Sequence, residues 1–380
     1  MKIAIVCYPT FGGSGVVATE LGVELAKRNH EVHFITYSQP VRLALLNPNI
    51  YYHEVNVPEY PLFHYQPYEL ALSSKLVDMV KQFDIDVLHV HYAIPHAYAG
   101  YMAKQMLKEQ GIDLPMITTL HGTDITLVGN HPNYKTAVSF SINNSDFVTS
   151  VSSSLKQSTY DLFDIKKNIC VIPNFIEIKE NTEFNDTPCK RSAIASKGEY
   201  IVTHISNFRK VKRIEDVISI FYGIQKQIPT KLLMVGDGPE KERAERLAME
   251  LGIYDKIIFF GNSTEIEQIL SYSDLFLLPS ETESFGLAAL EAMASGVPVI
   301  SSNAGGLSEV NENGVSGFLS DVGDVKNMTE NALIVLKDKD TLLKYKENAK
   351  KVAEKFSIEK VLPLYEDLYQ QAIELKKKGM

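Results

Sequence analysis

Lys2-Ile3-Ala4-Ile5-Val6-Cys7-Tyr8-Pro9-Thr10-Phe11-Gly12-Gly13-Ser14-Gly15, running on into Val16–Lys27, decides the fold of this 380-residue chain. The run Ile3–Cys7 has the length of a buried strand and is far too short for the apolar core of a secretion signal. It breaks into a glycine loop, and apolar residues then recur at three- and four-residue spacing, as on a helix. Glycines let a ligand approach the backbone, and a helix N-terminus favours an anion. Gly13-Ser14-Gly15-Val16-Val17-Ala18 also fits the GxGxxA dinucleotide pattern. That pattern needs an acid at the end of the second strand to hold a ribose hydroxyl. The chain reads Phe34-Ile35-Thr36-Tyr37-Ser38 there, which counts against NAD. The plain alternative is that the glycines serve only a tight turn.

Outward from this unit the same alternation repeats. Short apolar runs at Val32–Thr36, Ile50–Val57, Val87–Tyr92, Met116–Leu120, Phe147–Val151 and Cys170–Pro173 are separated by helical-period segments such as Glu69–Lys81. This is the pattern of an α/β, doubly wound, mostly parallel sheet. Residues 177–197 lose apolar periodicity and read as a linker or exposed excursion. The alternation restarts at Tyr200–Ile205, Lys231–Val235, Ile257–Phe260, Leu275–Leu278 and Pro298–Ser301. Two Rossmann-like domains are expected, 1–175 and 176–355, facing across one cleft. A terminal helix over 356–380 is expected to pack back on the first domain. Lys376-Lys377-Lys378 reads as a solvated helix end. Ligands of such sheets lie beyond the carboxyl ends of the strands, so the strand-to-helix loops should carry the chemistry.

Composition narrows the function. The chain is 45% hydrophobic and 22% charged, which is ordinary for globular domains, and its formal net charge is −9. So acidic a protein makes a poor nucleic-acid binder, and an anionic substrate would need a few local cations. Cys7, Cys170 and Cys189 are odd in number and widely spaced, which fits a reducing compartment; Cys7 and Cys170 read as core fillers. No CxxC or HExxH pattern points to a metal, and no run approaches a membrane span of about 20 apolar residues. A cytoplasmic protein without nucleic-acid or membrane partners is expected, and a homo-oligomer is allowed.

Four loops stand out beside the first. His121-Gly122 ends the apolar run Met116–Leu120, so His121 can hydrogen-bond a sugar hydroxyl or meet developing charge, or can be structural. His89, His91 and His96 read as packed and hydrogen-bonded rather than metal-binding, with His89 and His91 on one strand face. Ser206-Asn207-Phe208-Arg209-Lys210-Val211-Lys212-Arg213 follows a strand and opens a helix, a setting in which Arg209 and Lys212 suit a diphosphate. Gly236-Asp237-Gly238-Pro239 brings backbone to the same end of its sheet. The strongest is Pro279-Ser280-Glu281-Thr282-Glu283-Ser284-Phe285-Gly286-Leu287-Ala288-Ala289-Leu290-Glu291. A helix starting near Phe285 would turn the N–H groups of Phe285, Gly286 and Leu287 toward a pyrophosphate. Glu291, about one and a half turns inside, could accept from two ribose hydroxyls, and Glu283 would lie where an attached sugar sits.

Glu283 followed by seven residues and Glu291 resembles the E-x7-E motif of retaining glycosyltransferases of family four, which have the GT-B fold. Matches at Gly12–Gly15, His121-Gly122, Val171-Ile172-Pro173-Asn174, Gly236–Pro239 and Gly305-Gly306 extend the resemblance over nearly the whole chain. The family usually spaces its arginine and lysine five apart, whereas Arg209 precedes Lys212 by three, which leaves their separate roles open. Cys7–Gly22 and Ser206–Arg209 further resemble the branch of this family that begins bacillithiol synthesis. That likeness implies UDP-N-acetylglucosamine as donor and L-malate as acceptor.

On this reading His121, Glu283, Arg209 and Lys212 are catalytic. Gly13, Ser14, Gly15, Gly236, Asn262, Ser284, Phe285, Gly286, Leu287 and Glu291 hold the UDP-sugar. Before residue 175 the arginines are Arg28 and Arg42, and Arg28 lies at the far end of its helix. Arg42 is therefore the better carboxylate partner, with Ser14, Tyr92 and Thr119 completing the acceptor set. The resemblance implies retention without a side-chain nucleophile, the departing diphosphate oxygen taking the acceptor proton. No acidic metal motif is apparent, so no metal or other cofactor is expected, and domain closure would exclude water. The alternatives are a UDP-N-acetylglucosamine 2-epimerase, a GT-B transferase with another small acceptor, and a binding module without chemistry.

Overall fold

The computed structural model describes residues 1–10, 12–43, 45–178 and 188–378; for Pro188–Lys190 and Lys378 it describes backbone only. Its contacts group into two units, Met1–Phe175 with Glu359–Met380, and Ile176–Ile358.

The first unit is built on seven strands: β1 (Lys2–Val6), β2 (Glu31–Thr36), β3 (Ile50–Glu54), β4 (Val87–His91), β5 (Met116–Leu120), β6 (Phe147–Ser150) and β7 (Ile169–Val171). Every pairing is parallel, in the order β3-β2-β1-β4-β5-β6-β7. The central strands are buried on both faces, which is why they read as unbroken apolar runs. One core layer sets Ala4, Val6, Leu88, Val90 and Met116 under helical residues such as Leu72, Leu76 and Ala103. Helix α1 (Ser14–Lys27) follows β1 directly. The chain winds one way from β1 to β3 and the other from β4 to β7, so the topology switches between β1 and β4.

The second unit has six parallel strands: β8 (Tyr200–Ile205), β9 (Thr230–Val235), β10 (Ile257–Gly261), β11 (Leu275–Leu278), β12 (Val299–Ser302) and β13 (Gly317–Ser320). Their order is β10-β9-β8-β11-β12-β13, with the switch between β8 and β11. Val202, Leu232, Met234, Leu275 and Leu277 form its core with Ile214, Phe221 and Met328 from covering helices. The edge strand β13 was not expected: four residues beginning with Gly317 carry too little apolar pattern to be read.

Two further expectations need correction. The stretch 177–197 is not linker throughout. Its part 179–187 lies outside the described residues, but Pro188–Ile194 forms helix α2. Arg191 there pairs with Asp274 (2.6 Å), and Ile194 and Ala195 pack on Ile201, Leu233 and Ile269. Nor is the terminal lysine run wholly solvated. After α3 (Ile214–Gln225) and α4 (Leu287–Ala294), the chain ends in α5 (Ile358–Lys378). Lys376 on α5 sits 3.0 Å from Asp113 and 3.1 Å from Asp146. Glu366 binds Arg28 (2.7 Å) and His30 (3.0 Å), and the buried Tyr369 hydroxyl meets His89 Nδ1 at 2.7 Å. Cys7 is buried as expected and its thiol is pushed up to about 12 by desolvation, whereas Cys170 is only half-buried.

Candidate active site

Most of each unit's candidate residues lie on loops at or beside its topological switch point, the place where ligands of such sheets bind, whereas Arg42 follows β2 and Asn262 follows the edge strand β10.

In the first unit these are the loops after β1, β4 and β5. Gly13 caps α1 with φ of 61°, and Ser14 Oγ and the Tyr92 hydroxyl share a 2.6 Å hydrogen bond across the β1–β4 switch. At Gly15 a side chain is impossible without a shift, since a Cβ would lie 2.4 Å from the Tyr8 carbonyl oxygen. Tyr92 has φ of 83°, a conformation costing about 1–3 kcal/mol for a residue with a side chain. It is held there by its N–H donating to Thr119 O (2.9 Å) and its carbonyl accepting from Ala97 N (3.2 Å). Strain so fixed beside a sheet's carboxyl end is characteristic of ligand clamps. The Tyr92 ring also lies 5.2 Å from the His121 ring and 5.0 Å from that of Tyr8.

His121 follows β5, half-buried, with Nε2 2.8 Å from His91 Nδ1. Burial, with His96 nearby, pushes its imidazole down to about 3, so it is a neutral hydrogen-bonding group. Asp124 went unrecognised in the sequence. Its buried carboxylate accepts from the N–H groups of Ala93 (3.0 Å), Gly122 (2.9 Å) and His121 (3.2 Å), tying the β4 and β5 loops together. Burial raises its pKa and those N–H bonds oppose the rise. An aspartate three residues beyond a strand-end histidine was the available signal.

Thr119 does not fit the acceptor set. Its fully buried hydroxyl is engaged by His89 Nε2 and by Thr149 Oγ1, each at 2.7 Å. It lies inside β5, one layer below His121. Arg42, with φ of 66°, is exposed and pairs with Glu20 at 2.7 Å.

In the second unit the β8 and β11 loops meet. Lys212 Nζ is 2.5 Å from Glu283 Oε1, which also accepts from Ser280 Oγ at 2.8 Å. Glu281 N–H donates to Val211 O (2.7 Å), and Glu240 N–H to Phe208 O (3.0 Å), so the basic loop is pinned from both sides. Phe208 anchors it from below, fully buried. Gly236 must be glycine: its φ is 121°, and a Cβ would lie 1.8 Å from Ser206 O. The basic run divides by partner. Arg213 binds Asp216 (2.6 Å) and Lys212 binds Glu283, while Arg209 is exposed with no side-chain partner among the described residues. Asn262 is exposed just after the edge strand β10.

The acid-bearing helix begins two residues later than expected. Gly286 caps it with φ of 99°, and α4 runs Leu287–Ala294. Leu290 N–H reaches Gly286 O at 3.1 Å, so the amides of Leu287, Ala288 and Ala289 precede that bond and replace Phe285 as candidate anion donors. Phe285 instead turns its ring inward, 5.6 Å from Phe356. Ser284 sits half-buried ahead of the cap, and half-buried Glu291 stands four residues into α4, a little over one turn.

Three fully buried histidines predict a pH response. Desolvation pushes His89 down to about 3 and His96 and His204 down to about 4. In the unfolded chain each imidazole titrates near 6.5. As the pH falls through 6.5, the unfolded state binds protons that the folded state refuses, so stability is present above that pH and lost toward pH 4. Each group is expected to remove about 1 kcal/mol at pH 5.5. Thermal melts at pH 7 and 5.5 check this, and an unchanged Tm contradicts it.

Two parallel α/β units, each with its loops at the sheet switch and one with a basic loop beside an acid-bearing helix end, define a glycosyltransferase of GT-B fold. The chain belongs to this family: the model described as Glycosyltransferase Family 4 matches residues 11–180, and that described as Glycosyl transferases group 1 matches 187–352. It is 46% identical over 380 residues to the N-acetyl-alpha-D-glucosaminyl L-malate synthase of Bacillus anthracis, spanning 100% of this chain and 99% of that one. Sucrose-phosphate synthase from Thermosynechococcus elongatus shares the fold, with a TM-score of 0.82 at 20% identity over 99% of this chain and 100% of the other. So does Anabaena HepE, solved with UDP and glucose, at 0.77 and 20% over 98% and 100%. The epimerase reading is not favoured by these likenesses.

Proposed function

We propose that this glycosyltransferase moves N-acetylglucosamine from UDP-N-acetylglucosamine to the hydroxyl of L-malate with retention, as the first step of bacillithiol synthesis. The observation that carries the proposal is full-length similarity to a protein named for that product. Each half-site is assigned a part. In the second unit, Arg209, Lys212 and the amides of Leu287–Ala289 oppose charge developing on the departing diphosphate. Glu291 accepts from the ribose hydroxyls, with Gly236, Asn262, Ser284 and Gly286 shaping the UDP site, and Glu283 orients the sugar. In the first unit, the Gly13–Gly15 turn brings backbone close to the substrates. His121 hydrogen-bonds the sugar as a neutral group, and Arg42 with Tyr92 and Ser14 holds the acceptor.

The bond from the anomeric carbon to the UDP oxygen breaks, and the bond to the malate oxygen forms on the same face. The malate hydroxyl proton passes to the leaving diphosphate oxygen. The positive groups named make a metal unnecessary in this scheme, so a chelator should leave the rate unchanged. A cytoplasmic setting belongs to the same proposal, supported by the free thiols of Cys7 and Cys170. Among the described residues no helix is long and apolar enough to cross a membrane.

Incubation with UDP-N-acetylglucosamine, with and without L-malate, tests the reading. UDP release that depends on malate is expected; an epimeric UDP-sugar without release contradicts it. Arg42→Ala is expected to raise the malate KM about tenfold or more, the worth of one charge-assisted hydrogen bond. An unchanged KM removes Arg42 from the acceptor site.

A further inference from the structure

We propose that His91 is a positioning residue that holds His121 in the tautomer with its proton on Nδ1, so that His121 offers a hydrogen-bond donor to the substrate. This rests on the reading of His121 as the group that meets the sugar.

His91 ends β4, and its side chain is buried, 1% exposed. Its Nδ1 is 2.8 Å from His121 Nε2, so one of these nitrogens carries the shared hydrogen. The other nitrogen of His91, Nε2, is buried and has no partner among the described residues. Two arrangements are possible. If His121 Nε2 donates, His91 must accept at Nδ1 and, being neutral, carry its own proton on Nε2. That leaves an N–H donor unpaired inside the protein. If His91 Nδ1 donates, His91 Nε2 is a bare lone pair and His121 carries its proton on Nδ1. Buried N–H groups without acceptors are rarer than buried acceptors without donors, so the second arrangement is favoured.

The neighbours give no competing instruction. Asp124, the carboxylate nearest in sequence, is spent on the N–H groups of Ala93, His121 and Gly122. His96 must keep its proton on Nδ1, because that nitrogen bonds the His91 carbonyl oxygen at 2.6 Å. His89 is engaged by Tyr369 and Thr119. The orientation that an enzyme histidine usually takes from a carboxylate or carbonyl is set here by a second imidazole. Burial keeps His91 neutral, its pKa far below the usual imidazole value, so the pair stays uncharged and works as a fixed dipole.

Nitrogen-15 NMR of histidine-labelled full-length protein decides the matter without reference to activity. In the wild type His121 Nδ1 is expected to show the shift of a protonated nitrogen and Nε2 that of a bare one. His91→Leu is expected to move His121 toward the Nε2–H form and lower kcat about tenfold, the worth of one neutral hydrogen bond, with little change in donor KM. His91→Asn places an amide nitrogen where Nδ1 stood and should restore both readouts. An Nε2–H tautomer in the wild type overturns the proposal, as does an unchanged tautomer in a folded His91→Leu protein. If His121→Ala leaves transfer intact, the catalytic reading of His121 fails, while the tautomer result still decides what His91 does.

Discussion

Replacing Arg209 with alanine is expected to lower kcat by about 10²–10³ while the melting temperature stays within a degree or two. The guanidinium is exposed and has no side-chain partner among the described residues, so its removal breaks no contact that holds the fold. The loop that carries it is fixed independently of it, by buried Phe208 below and by the backbone bonds from Glu240 and Glu281. What is lost is a cation carried on a pinned loop at the β8–β11 switch. The larger share should appear in kcat, because charge on the leaving diphosphate grows as the sugar bond breaks. Lys212→Ala should be equally damaging to the rate but less clean, since it also strips Glu283 of its 2.5 Å partner. Steady-state kinetics beside thermal melts check both, and an Arg209→Ala enzyme with undiminished kcat removes Arg209 from the diphosphate site.

Gly305→Ala is expected to abolish about 99% of activity through geometry alone. A Cβ there would lie 2.0 Å from the Glu283 carbonyl oxygen, on a backbone with φ of 57°. Gly306 N–H donates to that same oxygen at 2.8 Å, and a Cβ on Gly306 would lie 2.5 Å from Ser284 O. The two glycines thus form the bed on which the Glu283–Gly286 loop lies, and the loop must rise to make room. A shift of about 1 Å in a group that positions substrate costs on the order of 10²-fold in rate. Backbone strain alone does not predict this. Gly314→Ala supplies the comparison, since Gly314 has φ of 75° but nothing within 4 Å of a Cβ. It should lose about 1 kcal/mol of stability and keep its activity. Equal losses of activity in the two variants would contradict the argument.

Every strand but the edge strand β13 was legible, because parallel strands buried on two faces become uninterrupted apolar runs, a pattern the four-residue Gly317–Ser320 lacks. The candidate site loops were legible for the same reason, as whatever follows such a run. What the sequence hid was set by neighbours distant along the chain. Nothing local says that His91 will stand beside His121; that follows from β4 lying next to β5 with His91 opposite Thr119. The same adjacency makes Thr119 a poor acceptor ligand, since His89 and Thr149 flank it on the neighbouring strands and engage its hydroxyl. The start of α4 was misplaced because Gly286 turns left-handed, and a helix cannot pass through that conformation. Ser280, which steadies Glu283, looked like any polar loop residue.

The end of α4 beside the basic loop is the proposed seat of the nucleotide. A crystal structure of the full chain with UDP tests this directly. The Glu291 carboxylate is expected within hydrogen-bond reach, about 2.6–3.2 Å, of the ribose hydroxyls, with the pyrophosphate against the Leu287–Ala289 amides and Arg209. UDP bound away from α4, with Glu291 out of reach of its ribose, would contradict it.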